Sequence, residues 1–513
     1  MNLQVFLCVL CVVLYLLYAY SKYKRSYWKR RNVLQGETHF FFGSIKNTIV
    51  GDVPMSSMVS DIYNKAIKEG RKFFGYYKFL APAFVPVDLE LVKCIMQTDF
   101  QHFVNRGILV DEDADPLSGN LFNLNDDKWR VMRSKLTAAF TSGKMKMIFQ
   151  TMVENTISLQ TVLNEHAIVN ESVEMKDLLA RFTTDIIGNV GFGLEVNSIN
   201  NPDSEFRRQG VRAFKFGLRL KIKILCTMLF PVKLIKLFNI SFTPADAEMF
   251  FIKLVQDTVN YREKNNVFRK DFLHLLIQLK NFGRVTNIDE SQLVDKDGKS
   301  VECLTINEMA AQAFVFFLAG FETSATTMTF ILIELSQNPE IQDKVRKEIQ
   351  TVLKKFDGKL TYEAIGEMEY LEKVVSESLR KHPPLSLIPR ICTKDYKVPD
   401  TDLIIKAGTS VDIPVLSIHR NPEFYPDPEK FDPERFSPEN KSARHPFAYL
   451  PFGEGPRLCI GLRLGKLQVK VGICAILSKF RVQLNEKTQM PITYLPGIIS
   501  VAKGGVYLNF ESK

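Results

Sequence analysis

The sequence predicts a mainly α-helical body with a minor β-sheet region, carried behind a single N-terminal membrane-spanning helix. Three observations carry this expectation. Helical periodicity dominates from about residue 89 onward. Aromatic and β-branched runs read as strands only at Lys72 to Phe79, Phe84 to Val87, Leu403 to Ile413 and after Phe480. From Met1 to Ser21 no residue is charged, and Leu3 to Ala19 is nearly all apolar, enough for a helix of about 30 Å that would cross a bilayer core. With 513 residues, 46% of them hydrophobic and 24% charged, the chain can bury a large core in one big domain or two moderate ones. There is no internal repeat and no low-complexity linker, so a disordered or solenoid protein is excluded.

The N-terminal run is followed by six cations and no acid: Lys22, Lys24, Arg25, Lys29, Arg30 and Arg31. A cleaved signal peptide carries its charge ahead of the apolar run and ends in small residues, whereas this order is reversed. A retained anchor over 1–21, a basic juxtamembrane linker over 22–36 and a body over 37–513 follow. The positive-inside rule keeps the body in the cytosol, with Tyr15, Tyr18, Tyr20 and Trp28 as interface aromatics. These cations supply more than half of the net charge of +10, and beside an apolar span they suit anionic membrane lipid. No nucleic-acid partner is implied. The eight cysteines are scattered, and their only CxxC pair, Cys8 and Cys11, lies inside the apolar run, which fits a reducing compartment.

Lys72 to Phe79 and Phe84 to Val87 are expected as two short strands separated by Ala81-Pro82-Ala83. Trp129 and Arg133 are four apart in a helical pattern and share one face. Phe206 to Ile240 mixes Phe, Leu and Ile with Arg and Lys, and reads as an amphipathic roof on the membrane or as an ordinary surface helix pair. Thr305-Ile306-Asn307-Glu308 is a capping box from which a helix of about 30 residues runs to Asn338-Pro339. Its middle is apolar on all sides, as in a membrane span. Glu322 at its centre makes that span expensive, so a buried core helix is expected. Glu377 and Arg380 lie at i, i+3 on a later helix, and Arg435 follows in Phe-Asp-Pro-Glu-Arg-Phe.

The chemistry is expected in Phe452 to Gly461, Phe-Gly-Glu-Gly-Pro-Arg-Leu-Cys-Ile-Gly. A cysteine sulfur is mostly protonated at neutral pH unless a metal or a dipole stabilises its charge. A helix starting at Ile460 would aim its free N–H groups at Cys459. Gly461 leaves room for a flat cofactor, Arg457 suits an acidic edge of it, and Phe452 would cover the sulfur. A lone cysteine beside a helix start is usually a small buried hydrophobe. The whole phrase is different: Phe452, Gly455, Arg457, Cys459 and Gly461 resemble, at every fixed position, the haem-ligating loop F-x-x-G-x-R-x-C-x-G of the cytochrome P-450 monooxygenases.

That resemblance covers about residues 35 to 510 and implies the cytochrome P-450 fold as a single large domain, with haem b as cofactor and Cys459 as axial ligand of its iron. Ala319-Gly320-Phe321-Glu322-Thr323-Ser324 resembles the family's oxygen-activation motif, implying that Ala319 lies against the haem, that Thr323 hydrogen-bonds the oxygen being activated and that Glu322 supplies protons. By the same resemblance Arg457, Trp129, Arg133, Arg106 and Arg390 hold the haem propionates. Glu377, Arg380 and Arg435 form a structural network, and Ile108, Leu109, Phe316, Phe317, Leu387, Ile388 and Ile498 line a greasy substrate pocket. Phe140-Thr-Ser-Gly-Lys-Met-Lys resembles the insect-type, xenobiotic-metabolising branch. The expected reaction inserts one atom of O2 into lipophilic compounds with electrons from NADPH. These arrive through the flavoprotein reductase, with a small b-type cytochrome as a possible helper, at the endoplasmic reticulum membrane. Lys128, Arg130, Lys135, Lys144, Lys146, Arg463, Lys466 and Lys470 would form a patch for an acidic electron donor. A haem-thiolate isomerase or dehydratase, or a non-enzymatic haem-binding membrane protein, are the alternative readings.

Overall fold

The computed structural model describes residues 3–51, 53–214, 241–283 and 303–512, with the isolated positions 223, 226, 234 and 235. Most of the Phe206 to Ile240 roof lies outside the described residues; apart from those isolated positions, its described part is the helix Glu205–Phe214.

The central helix runs Ile306–Gln337, 32 residues or about 48 Å, and the rest of the helical layer is arranged on it. Both halves of its capping box form: Thr305 Oγ1 accepts from the Glu308 N–H at 3.2 Å and Glu308 Oε2 accepts from the Thr305 N–H at 2.8 Å. It stops before Pro339, the first residue of the next helix. The most apolar stretch of this helix is 72% buried inside the protein, as a core helix should be. It packs on Met175–Ile187, Ala245–Lys264 and Leu462–Lys479. The first contact is close, because Thr183 Oγ1 donates to the Phe321 carbonyl at 2.9 Å. A Cβ at Gly320 would sit 2.6 Å from Ile187 Cδ1, so a side chain there would force Ile187 to shift.

The sheets are minor, as expected. Strands β1 (Phe73–Lys78), β2 (Ala81–Pro86), β4 (Ile388–Ile391) and β7 (Ser410–Ile413) form one sheet in the order β1-β2-β7-β4, with β2 and β7 parallel and the other neighbours antiparallel. Asp412 ties its edge to its centre: nearly buried on β7, it accepts from Tyr76 Oη of β1 at 2.5 Å and pairs with Lys78 Nζ at 2.8 Å. β3 (Val173–Glu174), β8 (Phe480–Leu484) and β9 (Tyr507–Ser512) form a second sheet, and β5 (Tyr396–Lys397) pairs with β6 (Ile404–Ile405). Two boundaries differ from expectation. Ala81-Pro82-Ala83 is inside β2, and the chain turns instead at Phe79, whose φ is +56°. Proline is tolerated there because β2 pairs with β7 only through Ala83 and Phe84. The run Leu403 to Ile413 divides into β6 and β7.

Leu3–Arg25 forms one helix, and none of its apolar stretch is buried against the body. Trp28 is not an interface aromatic: it is fully buried in the core of the first sheet, with Val33 and Ile45. Part of the expected linker is therefore packed into the body.

Candidate active site

The loop 452–461 is held by its own backbone bonds and lies close against Met96. Cys459 N–H donates to the Phe452 carbonyl at 3.0 Å and Leu458 N–H to the Gly455 carbonyl at 3.0 Å. Gly455 has φ +73°, and a Cβ there would meet the Met96 carbonyl oxygen at 2.0 Å, so only glycine fits. The following helix spans Leu462–Lys479 with Gly461 as its cap, two residues later than the expected start at Ile460. The Gly461 backbone N–H still acts on the Cys459 thiol. Burial pushes the Cys459 thiol pKa up, while that N–H, Arg106 and Arg133 pull it down. Cys459 lies deep in the protein, yet its side chain is exposed, because it opens onto an internal cavity.

Gln312, Phe316, Ala319, Thr323 and Thr327 of the central helix line this cavity at helical spacing, so one face of that helix forms a wall. The same cavity is lined by Phe452, Cys459 and Gly461, and by Arg106, Trp129, Arg133, Arg390 and Arg457. The Arg457 guanidinium lies 4.4 Å from the Trp129 ring centroid and donates to the carbonyls of Phe122, at 3.2 Å, and Leu124. Arg106 donates to Phe122 O at 3.0 Å. Burial pushes the pKa of Arg106, Arg390 and Arg457 down to about 9, and neighbouring guanidiniums add to the shift. The Nε atoms of Arg390 and Arg457 are buried without a hydrogen-bond partner among the described residues. Clustered cations with unmet donors call for an anion. Lying around an otherwise apolar chamber that a cysteine sulfur enters, they fit haem with its propionates.

Of the pocket candidates, Phe316 and Ile388 line the cavity. Phe317 does not: it is fully buried in an aromatic cluster, stacked on Phe321 at 4.7 Å and edge-on to Phe206 at 4.8 Å. Ile108, Leu109 and Leu387 are half-buried away from the lining, and Ile498 is 62% exposed. Phe140, Phe272, Leu121 and Gln312 line it without having been anticipated. Gln312 had a signal, since it precedes Phe316 by four and Ala319 by seven residues. It fixes the neighbouring loop by accepting from Leu121 N–H at 2.8 Å and donating to Gly119 O at 3.0 Å. Phe272 had none, because only folding brings it to stack on Phe316 at 4.5 Å.

The two residues of the acid-alcohol pair point to different places. Thr323 lines the cavity, its Oγ1 donating to Ala319 O at 2.6 Å. Glu322 lines a separate cleft of about 290 Å³ together with Lys176, Asp177, Arg207 and Thr326, and its Oε1 is 2.8 Å from Lys176 Nζ. Thr326 Oγ1 is buried there with no hydrogen-bond partner among the described residues, as suits a bound water.

Beneath the loop, Arg380 makes a forked pair with Glu377 at 2.7 and 2.8 Å, both side chains fully buried, and Arg435 Nε lies 3.5 Å from the same carboxylate. Arg380 also donates to His419 O at 2.9 Å and Pro428 O at 2.8 Å. His419 accepts from the Leu450 N–H at 2.8 Å through Nε2, so Nδ1 carries the proton shared with Arg380 O at 3.1 Å. Burial pushes the His419 pKa down to about 3, which keeps the ring neutral. The expected basic patch is largely paired: Lys128 with Glu112, Arg130 with Asp127, Lys146 with Glu363, and Lys466 and Lys470 with Glu372.

The sequence matches the cytochrome P450 family over residues 35–510. It is 43% identical to cytochrome P450 6a2 of Drosophila melanogaster, with 98% of this chain and 99% of that protein covered. It is 42% identical to the probable cytochrome P450 6a13 of the same fly, at 97% and 96% coverage, and 40% identical to its cytochrome P450 6a9, at 99% and 99%.

Proposed function

The chain belongs to the cytochrome P450 family, on its insect-type branch, and on that premise we propose that it is a membrane-bound monooxygenase of lipophilic substrates. Its electrons would come from NADPH through a flavoprotein reductase. The observation that carries this reading is the convergence of Cys459, Trp129 and the four guanidiniums of Arg106, Arg133, Arg390 and Arg457 on one cavity. Haem held there by a cysteine thiolate supplies the reductive activation of O2 and the insertion of one oxygen atom into substrate carbon.

The remaining roles belong to the chain. Cys459 gives up its proton to become the ligand, with the Gly461 N–H and the nearby arginines stabilising the sulfur charge. The arginines would bind the propionates, whose oxygens would accept from the unpaired donors on Arg390 and Arg457. Phe140, Phe272, Phe316 and Ile388 exclude water and favour an apolar substrate. Thr323 holds a proton on Oγ1 at the cavity wall. Glu322 takes protons from the polar cleft behind it, where Lys176 holds the carboxylate.

The reduced, carbon-monoxide difference spectrum of the membrane-expressed protein tests the reading first, and a strongly red-shifted Soret band is expected. A band at the position of histidine-ligated haem, in folded protein, would refute it. NADPH consumption with reductase and a panel of lipophilic compounds tests the reaction. NADPH-independent turnover of a hydroperoxide would move the chain to the isomerase class.

Thr323→Ala is expected to keep the haem spectrum while coupled turnover falls on the order of 100-fold and reducing equivalents appear as hydrogen peroxide. Unchanged coupling would remove Thr323 from the mechanism. Lys176→Met removes the cation that holds Glu322 at 2.8 Å, so kcat is expected to fall with KM unchanged, and Lys176→Arg to restore it. A lysine with no part in proton delivery would leave kcat in place.

A further inference from the structure

We propose that Trp28 clamps the anchor helix to the body, so that the exposed Phe40-Phe41 loop rests in the same lipid surface that the helix enters. The inference rests on reading Leu3–Arg25 as a membrane span.

The first observation is a socket. Trp28 is fully buried, its Nε1 donates to the Tyr76 carbonyl at 3.2 Å, and its backbone N–H donates to Tyr77 Oη at 3.0 Å. The socket exists because position 75 is glycine: a Cβ there would fall 2.4 to 2.5 Å from three atoms of the indole. Tryptophan hides about 150 to 250 Å² of surface when buried, far more than a flexible tether would give up. The next residues continue the attachment. Gly75 N–H donates to Leu34 O at 2.8 Å and Gly36 N–H donates to Gly75 O at 3.1 Å, so the segment after Trp28 adds to the free edge of β1.

The second observation closes the circuit. Having left the helix, the chain returns to it: Ser21 Oγ donates to the Phe40 carbonyl at 2.5 Å, and Arg25 reaches Ser21 Oγ at 3.1 Å and Thr38 Oγ1 at 3.3 Å. Tyr18 stacks on Phe40 with ring centroids 6.0 Å apart. The last turns of the apolar helix are thus bonded to residues 38–40 as well as continuous with Trp28. No proline interrupts the chain before Pro54.

The occupant follows from continuity. Tyr18 belongs to the exposed apolar helix, and Phe40 beside it is 49% exposed and Phe41 42% exposed. Phe40 is held against the end of a membrane span by Tyr18, with Phe41 next to it in sequence, and such rings meet what surrounds that end, which is the interfacial layer of the bilayer, where aromatic side chains are favoured. Lys22, Lys24 and Lys29 lie at the same end and suit anionic headgroups.

The test uses the full-length holoprotein in phosphatidylcholine bilayers containing phosphatidylserine. Spin labels attached by click chemistry at positions 22 and 68 report the distance from helix end to body, and one narrow distribution is expected. In Trp28→Ala the eleven residues 26–36 would have a root-mean-square reach of about 18 Å as a flexible coil, and the distribution should spread on the order of 10 Å. A broad distribution in the unsubstituted protein would overturn the clamp without any variant having to fold, and so would a Trp28→Ala distribution as narrow as the original. Single labels at positions 41 and 12 report depth through collision with oxygen or with an aqueous nickel chelate. Both are expected in lipid. Position 41 in water with position 12 in lipid would overturn this proposal and leave the anchor standing. Position 12 in water would overturn the anchor reading itself.

Discussion

Cys459→Ala is expected to fold and to lose the red-shifted carbon-monoxide band completely. The loop backbone does not depend on the sulfur: its bonds run from the Cys459 N–H to Phe452 O and from the Leu458 N–H to Gly455 O. Alanine keeps these and removes only the ligand. The arginine cluster and Trp129 remain, so any haem the variant retains should show a spectrum without thiolate character. The control is Cys474→Ala, a buried cysteine on the following helix. Burial pushes its thiol up to about 12, so it stays an uncharged packing group. Its loss should cost about 1 to 2 kcal/mol of packing and leave the band untouched. A red-shifted band in Cys459→Ala would show that another residue ligates the iron. Since burial raises the Cys459 thiol pKa, capture of haem by the apoprotein must release a proton, and haem affinity should weaken as the pH falls.

The second large effect is expected at the buried fork. Arg380→Leu leaves the Glu377 carboxylate at zero exposure with Arg435 Nε, 3.5 Å away, as its remaining cation, and strips the Arg380 bonds from the carbonyls of His419 and Pro428. Breaking such a pair by removing one partner costs about 3 to 5 kcal/mol. Burial already raises the Glu377 pKa in spite of Arg380, so without that arginine the carboxyl should take up a proton, which relieves part of the cost. The loss should reach the active site, because Arg380 O shares the His419 Nδ1 proton and His419 Nε2 holds the Leu450 N–H just ahead of the haem loop. Reduced haem content and a lower denaturation midpoint are therefore expected together. The paired variant Glu377→Leu with Arg380→Leu should be less damaging than Arg380→Leu alone, since no buried charge is stranded. A single variant within 1 kcal/mol of the parent, by denaturant titration, would show that the fork is dispensable.

Much of the fold and of the candidate site was legible because it is written in short-range pattern. The apolar run and its cations are contiguous, the capping box spans four residues, and the loop from Phe452 to Gly461 spans ten. Trp129 and Arg133 share a face by helical period, and both line the cavity. Strand boundaries were less secure, because the turn at Phe79 depends on a positive φ at a non-glycine residue, which no local signal announces.

What only the tertiary structure decided are the choices between faces and partners that the local pattern leaves equal. Phe316 and Phe317 are adjacent phenylalanines on one helix, yet the first lines the cavity and the second joins the Phe206, Phe251 and Phe321 cluster, because neighbouring helical residues point about 100° apart and only packing says which direction is which. The same rotation separates Thr323, on the cavity, from Glu322, whose partner Lys176 comes from another helix. Trp28 reads as an interface aromatic from its neighbours in sequence and is buried because Gly75 leaves it a place on β1. By itself the sequence determined the N-terminal apolar helix, the central helix, the loop from Phe452 to Gly461 and the cations around it, since each is a local pattern with a local physical cause. Contacts between distant residues decided the pocket wall, the holder of Glu322 and the seating of the N-terminal helix, because their energies depend on which surfaces meet, and that is settled only when the chain has folded.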